Sequence, residues 1–147
     1  MRIQIEEIIA RAIEEDLGDG DHSSLSCIPA EAMGVAQLKV KEKGVLAGIE
    51  LATWVFNLID PTLKVDIRLP DGSRINPGDV AFYVSGSVRS ILAAERTVLN
   101  FMQRMSGIAT STDKMVQAME NSHCKLLDTR KTRSEERRVG KECRSRW

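Results

Sequence analysis

The sequence has few of the residues from which disulfide frameworks and metal centres are built. Its three cysteines, Cys27, Cys124 and Cys143, form no C-x-x-C pair, and an odd number does not close into a complete disulfide framework. We therefore expect reduced thiols and a cytoplasmic location. Only two histidines are present, which leaves little material for a metal site.

Long apolar runs are also missing. No stretch approaches the roughly 20 residues of a membrane span. The first seven residues, Met-Arg-Ile-Gln-Ile-Glu-Glu, put acidic side chains where a secretory signal has its apolar segment. We therefore expect neither a membrane span nor export. The composition, 42% apolar and 29% charged, is typical of a globular chain.

The net charge of zero conceals an uneven distribution of basic residues. Residues 133–147 hold six of the 21 Lys and Arg residues but three of the 21 Asp and Glu residues. The preceding residues 1–132 therefore contain 15 basic and 18 acidic side chains, which argues against a basic nucleic-acid face. The tail shows no helical or strand period. We interpret it as a segment foreign to the fold, the alternative being a natural disordered basic tail.

Apolar periodicity predicts three helices. The first ends at Gly18 and has on one side Ile5, Ile8, Ile9, Ala12 and Ile13. The second covers residues 51–59. The third runs from Ser87 to about Asn121, with a break or kink at Ser106-Gly107, because a glycine inside a helix costs about 1 kcal/mol. Its predicted apolar stripe begins with Ile91, Leu92, Val98, Leu99, Met102 and Met105.

Alternating apolar residues predict strands at 36–40, 63–69 and 80–84, and a polar loop is expected at 18–24. Sheet on one side and helices on the other make this first portion an α+β layer. A further short strand is predicted at 124–128. A helix followed by a strand that ends in a charged cluster is typical of the start of an α/β barrel or of a doubly wound sheet.

Two cations follow the last predicted strand. Arg130 and Lys131 lie between Thr129 and Thr132, at the carboxyl end of a strand, where α/β proteins bind ligands. Arg130 can hold a carboxylate or phosphate through two parallel hydrogen bonds, and Lys131 adds a compact positive charge. The alternative is a solvated basic loop, and the residue types alone favour that alternative.

Arg96 is a second candidate, because it lies beside the apolar stripe of the long helix. Together with Asn100 and Arg104 it forms a polar line at a spacing of four residues. Arg96 is either part of an ion pair at the edge of a packed face or a cation presented to an anionic ligand across a subunit interface. Spacing does not separate these two interpretations.

Asp19, Asp21 and His22 could suggest a metal site, but one imidazole and two carboxylates on a Gly-rich loop are a poor ligand set. We interpret this segment as a helix-capping loop and predict no metal site in the chain. The sequence also contains no phosphate-binding loop, no dinucleotide-binding glycine motif and no nucleophile elbow.

Five segments in this order and spacing resemble the quinolinate phosphoribosyltransferase family, also called carboxylating nicotinate-nucleotide pyrophosphorylases. They are Glu-Asp-Leu-Gly-Asp-Gly-Asp at 15–21, Gly-Val-Leu-Ala-Gly at 44–48, Ala-Glu-Arg-Thr-Val-Leu-Asn at 94–100, Ser-Gly-Ile-Ala-Thr at 106–110 and Asp-Thr-Arg-Lys-Thr at 128–132. The last three are specific to this family and its close relatives. The resemblance runs from about Glu15 to Thr132.

The resemblance implies a fold and a reaction. The fold is an N-terminal α/β sandwich domain, here residues 1–105, followed by an α/β barrel, of which residues 106–132 would be the start. The reaction joins quinolinate to phosphoribosyl pyrophosphate with Mg²⁺ and releases nicotinate mononucleotide, pyrophosphate and carbon dioxide. By the same resemblance Thr129, Arg130 and Lys131 bind substrate, and Arg96 reaches into the site of the partner subunit in a homodimer.

The chain departs from the family after Thr132. There the family continues with Pro-Gly-Leu-Arg and later supplies a His-Arg pair, another lysine and the acidic residues that hold Mg²⁺ and ribose. A complete barrel takes on the order of 200 residues, and this chain has only its tail. We therefore expect no complete catalytic set and no transferase activity of the 147-residue chain. The exposed apolar face of its long helix should make it aggregation-prone.

Two other functions stay open. One is a related phosphoribosyltransferase with a different acid substrate, such as the molybdenum-transport-associated relatives, because the residues that discriminate the substrate ring lie beyond this segment. The other is a non-catalytic carrier or dimerisation module. Residues 71–80 resemble the hairpin of biotinyl and lipoyl carriers, but the Asp-Lys-Met that could carry the group lies at 113–115, in a helical pattern.

Overall fold

A computed structural model describes residues 2–119 and 126–127 of the chain. These described residues form four helices and five strands. In chain order they are α1 (Arg2–Leu17), α2 (His22–Cys27), β1 (Met33–Lys39), β2 (Gly44–Val45), α3 (Ile49–Ile59), β3 (Lys64–Ile67), β4 (Arg74–Ile75), β5 (Val80–Ser87) and α4 (Val88–Ala118). The chain divides into two compact units, residues 1–113 and residues 114–147.

The larger sheet is antiparallel, with the strand order β1-β5-β3. Its central strand, β5, pairs Val84 with Ala36 of β1 and with Val65 of β3. Strands β2 and β4 form a second, two-stranded sheet in which Gly44 pairs with Ile75. The predicted strands at 36–40, 63–69 and 80–84 correspond to β1, β3 and β5, and the α+β class is confirmed.

The core lies between one face of the sheet and the helices. The buried apolar side chains of α3 are Ile49, Ala52, Val55 and Phe56, and those of β5 are Ala81, Phe82 and Val84. Helix α4 adds Ile91, Ala94, Val98 and Met102 to the same cluster. The rings of Phe56 and Phe82 meet edge to face at 5.8 Å between centroids, the arrangement that aromatic quadrupoles favour.

Two predicted apolar faces are partly wrong. In α1, Ile9 is buried, but its neighbour Ile8 is 57% exposed, since consecutive helical residues point about 100° apart. In α4, Leu92 and Leu99 are exposed, and Ala94 and Thr97 are buried instead. Apolar residues do lie on the exposed side of α4. The aggregation expected from the sequence stays a prediction.

Of the break or kink predicted at Ser106-Gly107, the break is wrong, because α4 runs through both residues, and the kink stays a prediction. Ser106 Oγ accepts a hydrogen bond from the Ala47 amide at 3.0 Å and donates one to the Ala47 carbonyl at 3.1 Å. One turn later Thr110 Oγ1 accepts from the Val45 amide at 2.9 Å. Net contributions of about 0.5–1.5 kcal/mol per hydrogen bond offset the helical cost of Gly107.

Some elements were not predicted. The loop expected at 18–24 is wrong at its end, because α2 begins at His22. Strands β2 and β4 have two residues each and therefore show no alternation to find. Of the strand predicted at 124–128, the structure describes Leu126 and Leu127, which are in neither helix nor strand. The rest of that strand and the tail, 133–147, lie outside the described residues. The predicted boundaries at 105/106 and 132/133 stay predictions.

Candidate functional site

A cleft of about 320 Å³ lies between the end of α1, the start of α2 and one side of α4. The side chains that give it its chemistry are those of Asp16, Asp21, His22 and Arg96, with Leu92 beside them. Three of the four polar groups come from the segment 15–22, and the fourth comes from α4. The cleft therefore brings two of the five family-like segments together.

Two glycines turn the chain beside this cleft, and Gly20 lies in its wall. Gly18 ends α1 in the left-handed conformation (φ 53°), as predicted, and its amide donates to the Glu14 carbonyl at 2.9 Å. Gly20 has a φ of 125°, which side-chain-bearing residues rarely adopt. The chain thereby turns within a few residues and places Asp21 at the start of α2.

Asp21 caps α2, which confirms its predicted role. Its Oδ1 accepts a hydrogen bond from the Ser24 amide at 3.1 Å, and its Oδ2 accepts one from the Ser24 hydroxyl. These two bonds lower the pKa of Asp21 below its ordinary value, with a smaller contribution from the positive charge of Arg96. The carboxylate of Asp21 is therefore ionised, and both of its oxygens already accept hydrogen bonds from Ser24.

Arg96 projects from α4 into the cleft, with its side chain 75% exposed. Its Nη1 donates to Oδ1 of Asp16 at 3.3 Å, so the ion pair considered from the sequence is present. The Asp16 side chain is only 20% exposed, whereas the guanidinium reaches solvent. The arrangement places an accessible cation at the opening of a cleft, where an anion can reach it.

The rest of the predicted polar line lies along a second cleft. This cleft has a volume of about 290 Å³ between α1 and α4, and its lining includes Asp16, Asn100 and Arg104. Asp16 thus lines both clefts. Arg104 lines this second cleft, whereas Arg96 lines the first.

The other predicted substrate-binding residues, Thr129, Arg130 and Lys131, lie outside the described residues. Their role in substrate binding stays a prediction.

Asp19 and His22 form an exposed pair, with 3.2 Å between Oδ2 and Nε2. Among residues 2–119 and 126–127, no group of three or more His, Cys, Asp or Glu side chains could hold a metal ion. The described residues therefore supply no such cluster for Mg²⁺.

Sequence reasoning missed Asp16 as the partner of Arg96. The two residues are 80 positions apart, and neither periodicity nor local spacing links them. The available signal was that both occur in segments shared with the family, at 15–21 and 94–100.

The described helices bear on two further points from the sequence, the carrier alternative and the membrane span. Lys114 lies within α4, whereas a carrier domain needs its modified lysine at a hairpin tip, so the structure disfavours a carrier. Among the described helices, none combines the length and apolar character needed to cross a membrane.

Comparison with known proteins identifies the family of this domain. The family described as quinolinate phosphoribosyl transferase, N-terminal domain, matches residues 21–106. A rice (Oryza sativa subsp. japonica) protein named nicotinate-nucleotide pyrophosphorylase [carboxylating], chloroplastic, is 46% identical over 87% of this chain and 34% of its own length. A Bacillus subtilis (strain 168) protein, named probable nicotinate-nucleotide pyrophosphorylase [carboxylating], is 34% identical over 88% of this chain and 45% of its own length.

Solved structures agree with the sequence comparison. The crystal structure of NadC from Streptococcus pyogenes has a TM-score of 0.86 and 36% identity, covering 91% of this chain and 48% of that one. The nicotinate-nucleotide pyrophosphorylase from Francisella tularensis has a TM-score of 0.82 and 34% identity, covering 87% and 46%. The chain spans between a third and a half of the length of these relatives and matches their N-terminal part. It therefore belongs to the quinolinate phosphoribosyltransferase family.

Proposed function

We propose that this chain is the N-terminal domain of an enzyme that transfers the phosphoribosyl group of phosphoribosyl pyrophosphate to quinolinate. Decarboxylation follows, and nicotinate mononucleotide is formed for NAD biosynthesis. The observation that carries the proposal is the match of residues 21–106 to the family domain, at 34–46% identity to relatives named for this reaction. The exposed Arg96 supports it, since both substrates are anions.

The chemistry of the substrates explains why an exposed guanidinium is useful. Quinolinate carries two carboxylates on a planar ring, and a planar guanidinium can hold one of them through parallel N–H···O bonds. Such a contact orients the ring for attack on the ribose. Arg96 would bind and orient the acid in the site of the partner subunit, and Thr129, Arg130 and Lys131 would bind substrate.

Phosphoribosyl transfer in this family implies Mg²⁺, which would stabilise the charge on departing pyrophosphate. The described residues hold no cluster of three or more potential ligands for it, so no step is assigned to it in this domain. We also propose a homodimer in which Arg96 serves the site of the partner subunit. A cytoplasmic location is supported by the three cysteines without a C-x-x-C pair.

A hybrid enzyme tests the proposed function. Residues 1–132 of this chain would replace the matching N-terminal part of the Bacillus subtilis relative, and nicotinate mononucleotide formation from quinolinate and phosphoribosyl pyrophosphate would be measured with Mg²⁺. We expect quinolinate-dependent turnover, and no turnover by the 147-residue chain alone. A folded dimeric hybrid without turnover would contradict the proposal. Turnover with another aromatic acid but not with quinolinate would favour the related transferase.

A further inference from the structure

Asp16 is unusual among the acidic residues of α1 because its side chain is mostly buried. It lies in the last turn of the helix, which ends at Leu17, and is 20% exposed. Among the described residues, its Oδ1 accepts one hydrogen bond, from Nη1 of Arg96 at 3.3 Å. This contact uses one of the five N–H donors of the guanidinium and leaves the others for a ligand.

The ion pair is poorly suited to a stabilising role. It is monodentate, and the Arg96 side chain is 75% exposed, so solvent screens most of the attraction. Arginine has a long side chain with many rotamers. An arginine that is unrestrained in the free protein loses this rotamer entropy when it binds a ligand. A fixed carboxylate beside it restricts those rotamers before the ligand arrives.

The second carboxylate of the cleft does not compete for this role. Asp21 also feels the charge of Arg96, but both of its oxygens accept hydrogen bonds from Ser24 at the start of α2. Among the described residues, Asp16 is therefore the group that makes a direct contact with Arg96. Asp16 lines both clefts, so its side chain lies on the side of α1 that faces α4.

We propose that Asp16 is a positioning residue for quinolinate binding, which holds the Arg96 guanidinium at the opening of the cleft with its remaining donors free. This inference rests on the proposed function. Asp16 acts through Arg96 and does not touch the substrate. Its carboxylate restricts the arginine before binding, so its loss weakens quinolinate binding more than it slows the chemical step.

Kinetics of the hybrid enzyme test the consequence for binding. Asp16→Asn should raise KM for quinolinate about threefold, as expected for the loss of a solvent-screened ion pair, and change kcat less than about 1.5-fold, the pattern of lost ground-state binding. Glu15→Gln is the matched control, since it removes the same charge from the adjacent residue, and KM should stay unchanged. Asp16→Glu should restore part of the affinity. A lowered or unchanged KM in Asp16→Asn, or equal losses in kcat and thermal stability, would overturn the proposal.

Arginine side-chain relaxation in the 147-residue chain tests the positioning without any turnover. The ¹⁵Nε order parameter of Arg96 should fall in Asp16→Asn and stay unchanged in Glu15→Gln, because only the first change removes the partner of the guanidinium. Equal order parameters in all three proteins would refute the positioning role. An inactive wild-type hybrid, by contrast, would count against the proposed function and leave this measurement decisive for Asp16.

Discussion

Two stretches of α4 both belong to segments that resemble the family, yet they differ in what their polar side chains contact. At 106–110, the hydroxyls of Ser106 and Thr110 bind the backbone of the segment 44–48. At 94–100, Arg96 reaches solvent and, within the described part of the chain, contacts the carboxylate of Asp16. One family-like segment is therefore packed against backbone, whereas the other presents a cation to solvent.

Close approach explains the glycines of the segment that faces 106–110. A Cβ on Gly44 would lie 2.4 Å from Thr110 Oγ1, and one on Gly48 would lie 3.2 Å from Met105 Sδ. Gly48 also has a φ of 104° and precedes α3, whose first amide donates to Asp71 Oδ1 at 2.9 Å. This region is therefore filled, whereas the Arg96 region is open.

The largest expected loss of stability comes from filling the close contact between β2 and α4. Gly44→Ala should lower the free energy of unfolding by about 1–3 kcal/mol, because the new Cβ displaces the Thr110 hydroxyl from the Val45 amide. Urea denaturation followed by circular dichroism would measure it. Gly107→Ala is the control: beyond the local helix backbone, no atom of the described residues lies within 4 Å of its Cβ, and alanine should stabilise the helix by up to about 1 kcal/mol. Equal effects of both changes would contradict the comparison.

A smaller loss is expected when the Ser106 hydroxyl is removed. Ser106→Ala takes away one hydrogen bond to the Ala47 amide and one to the Ala47 carbonyl, at a cost of about 1–2 kcal/mol. The same denaturation experiment applies. Ser111→Ala is a suitable control, since that exposed hydroxyl donates only to the Gly107 carbonyl within the helix, and its loss should leave stability nearly unchanged. An unchanged free energy of unfolding in Ser106→Ala would mean that the helix does not depend on this contact.

The smallest expected effect is a pH dependence at the start of α4. Hydrogen bonds from Thr62 and from the Ser90 hydroxyl lower the pKa of Asp60 below the unfolded value of 3.8. The stabilisation is therefore fully present above that unfolded value and is lost as the pH falls through the lower pKa of the folded state. Thermal melting between pH 2 and 6 should show a shallower acid decline in Asp60→Asn. Identical declines would exclude this contribution.

Much of the fold follows from patterns that the sequence carries locally. Alternation located β1, β3 and β5, and helical periodicity located α3, because each element buries one face against the core. The predicted buried faces of the helices were partly wrong where two apolar residues are adjacent, because periodicity does not tell which of Ile8 and Ile9 points inward. The two-residue strands and the serine contacts of α4 depend on partners far away in the chain, which local patterns do not encode.

The sequence predicted only one member of the pair formed by Arg96 and Asp16. Arg96 stood out as a cation beside an apolar stripe, but Asp16 had no local signal and comes close only through the packing of α1 beside α4. The cations at 130 and 131 were singled out by their position after a predicted strand, and they lie outside the described residues. Family resemblance, rather than spacing, linked these segments to one reaction.

The most direct test of the central claim is the kcat/KM for quinolinate of the hybrid enzyme carrying Arg96→Ala. We predict a loss of about 100-fold, equivalent to about 2.7 kcal/mol. The free energy of unfolding should change by less than about 0.5 kcal/mol, because the exposed ion pair adds little to stability. An unchanged kcat/KM, or a loss matched by unfolding of the domain, would contradict the assignment of Arg96 to substrate binding.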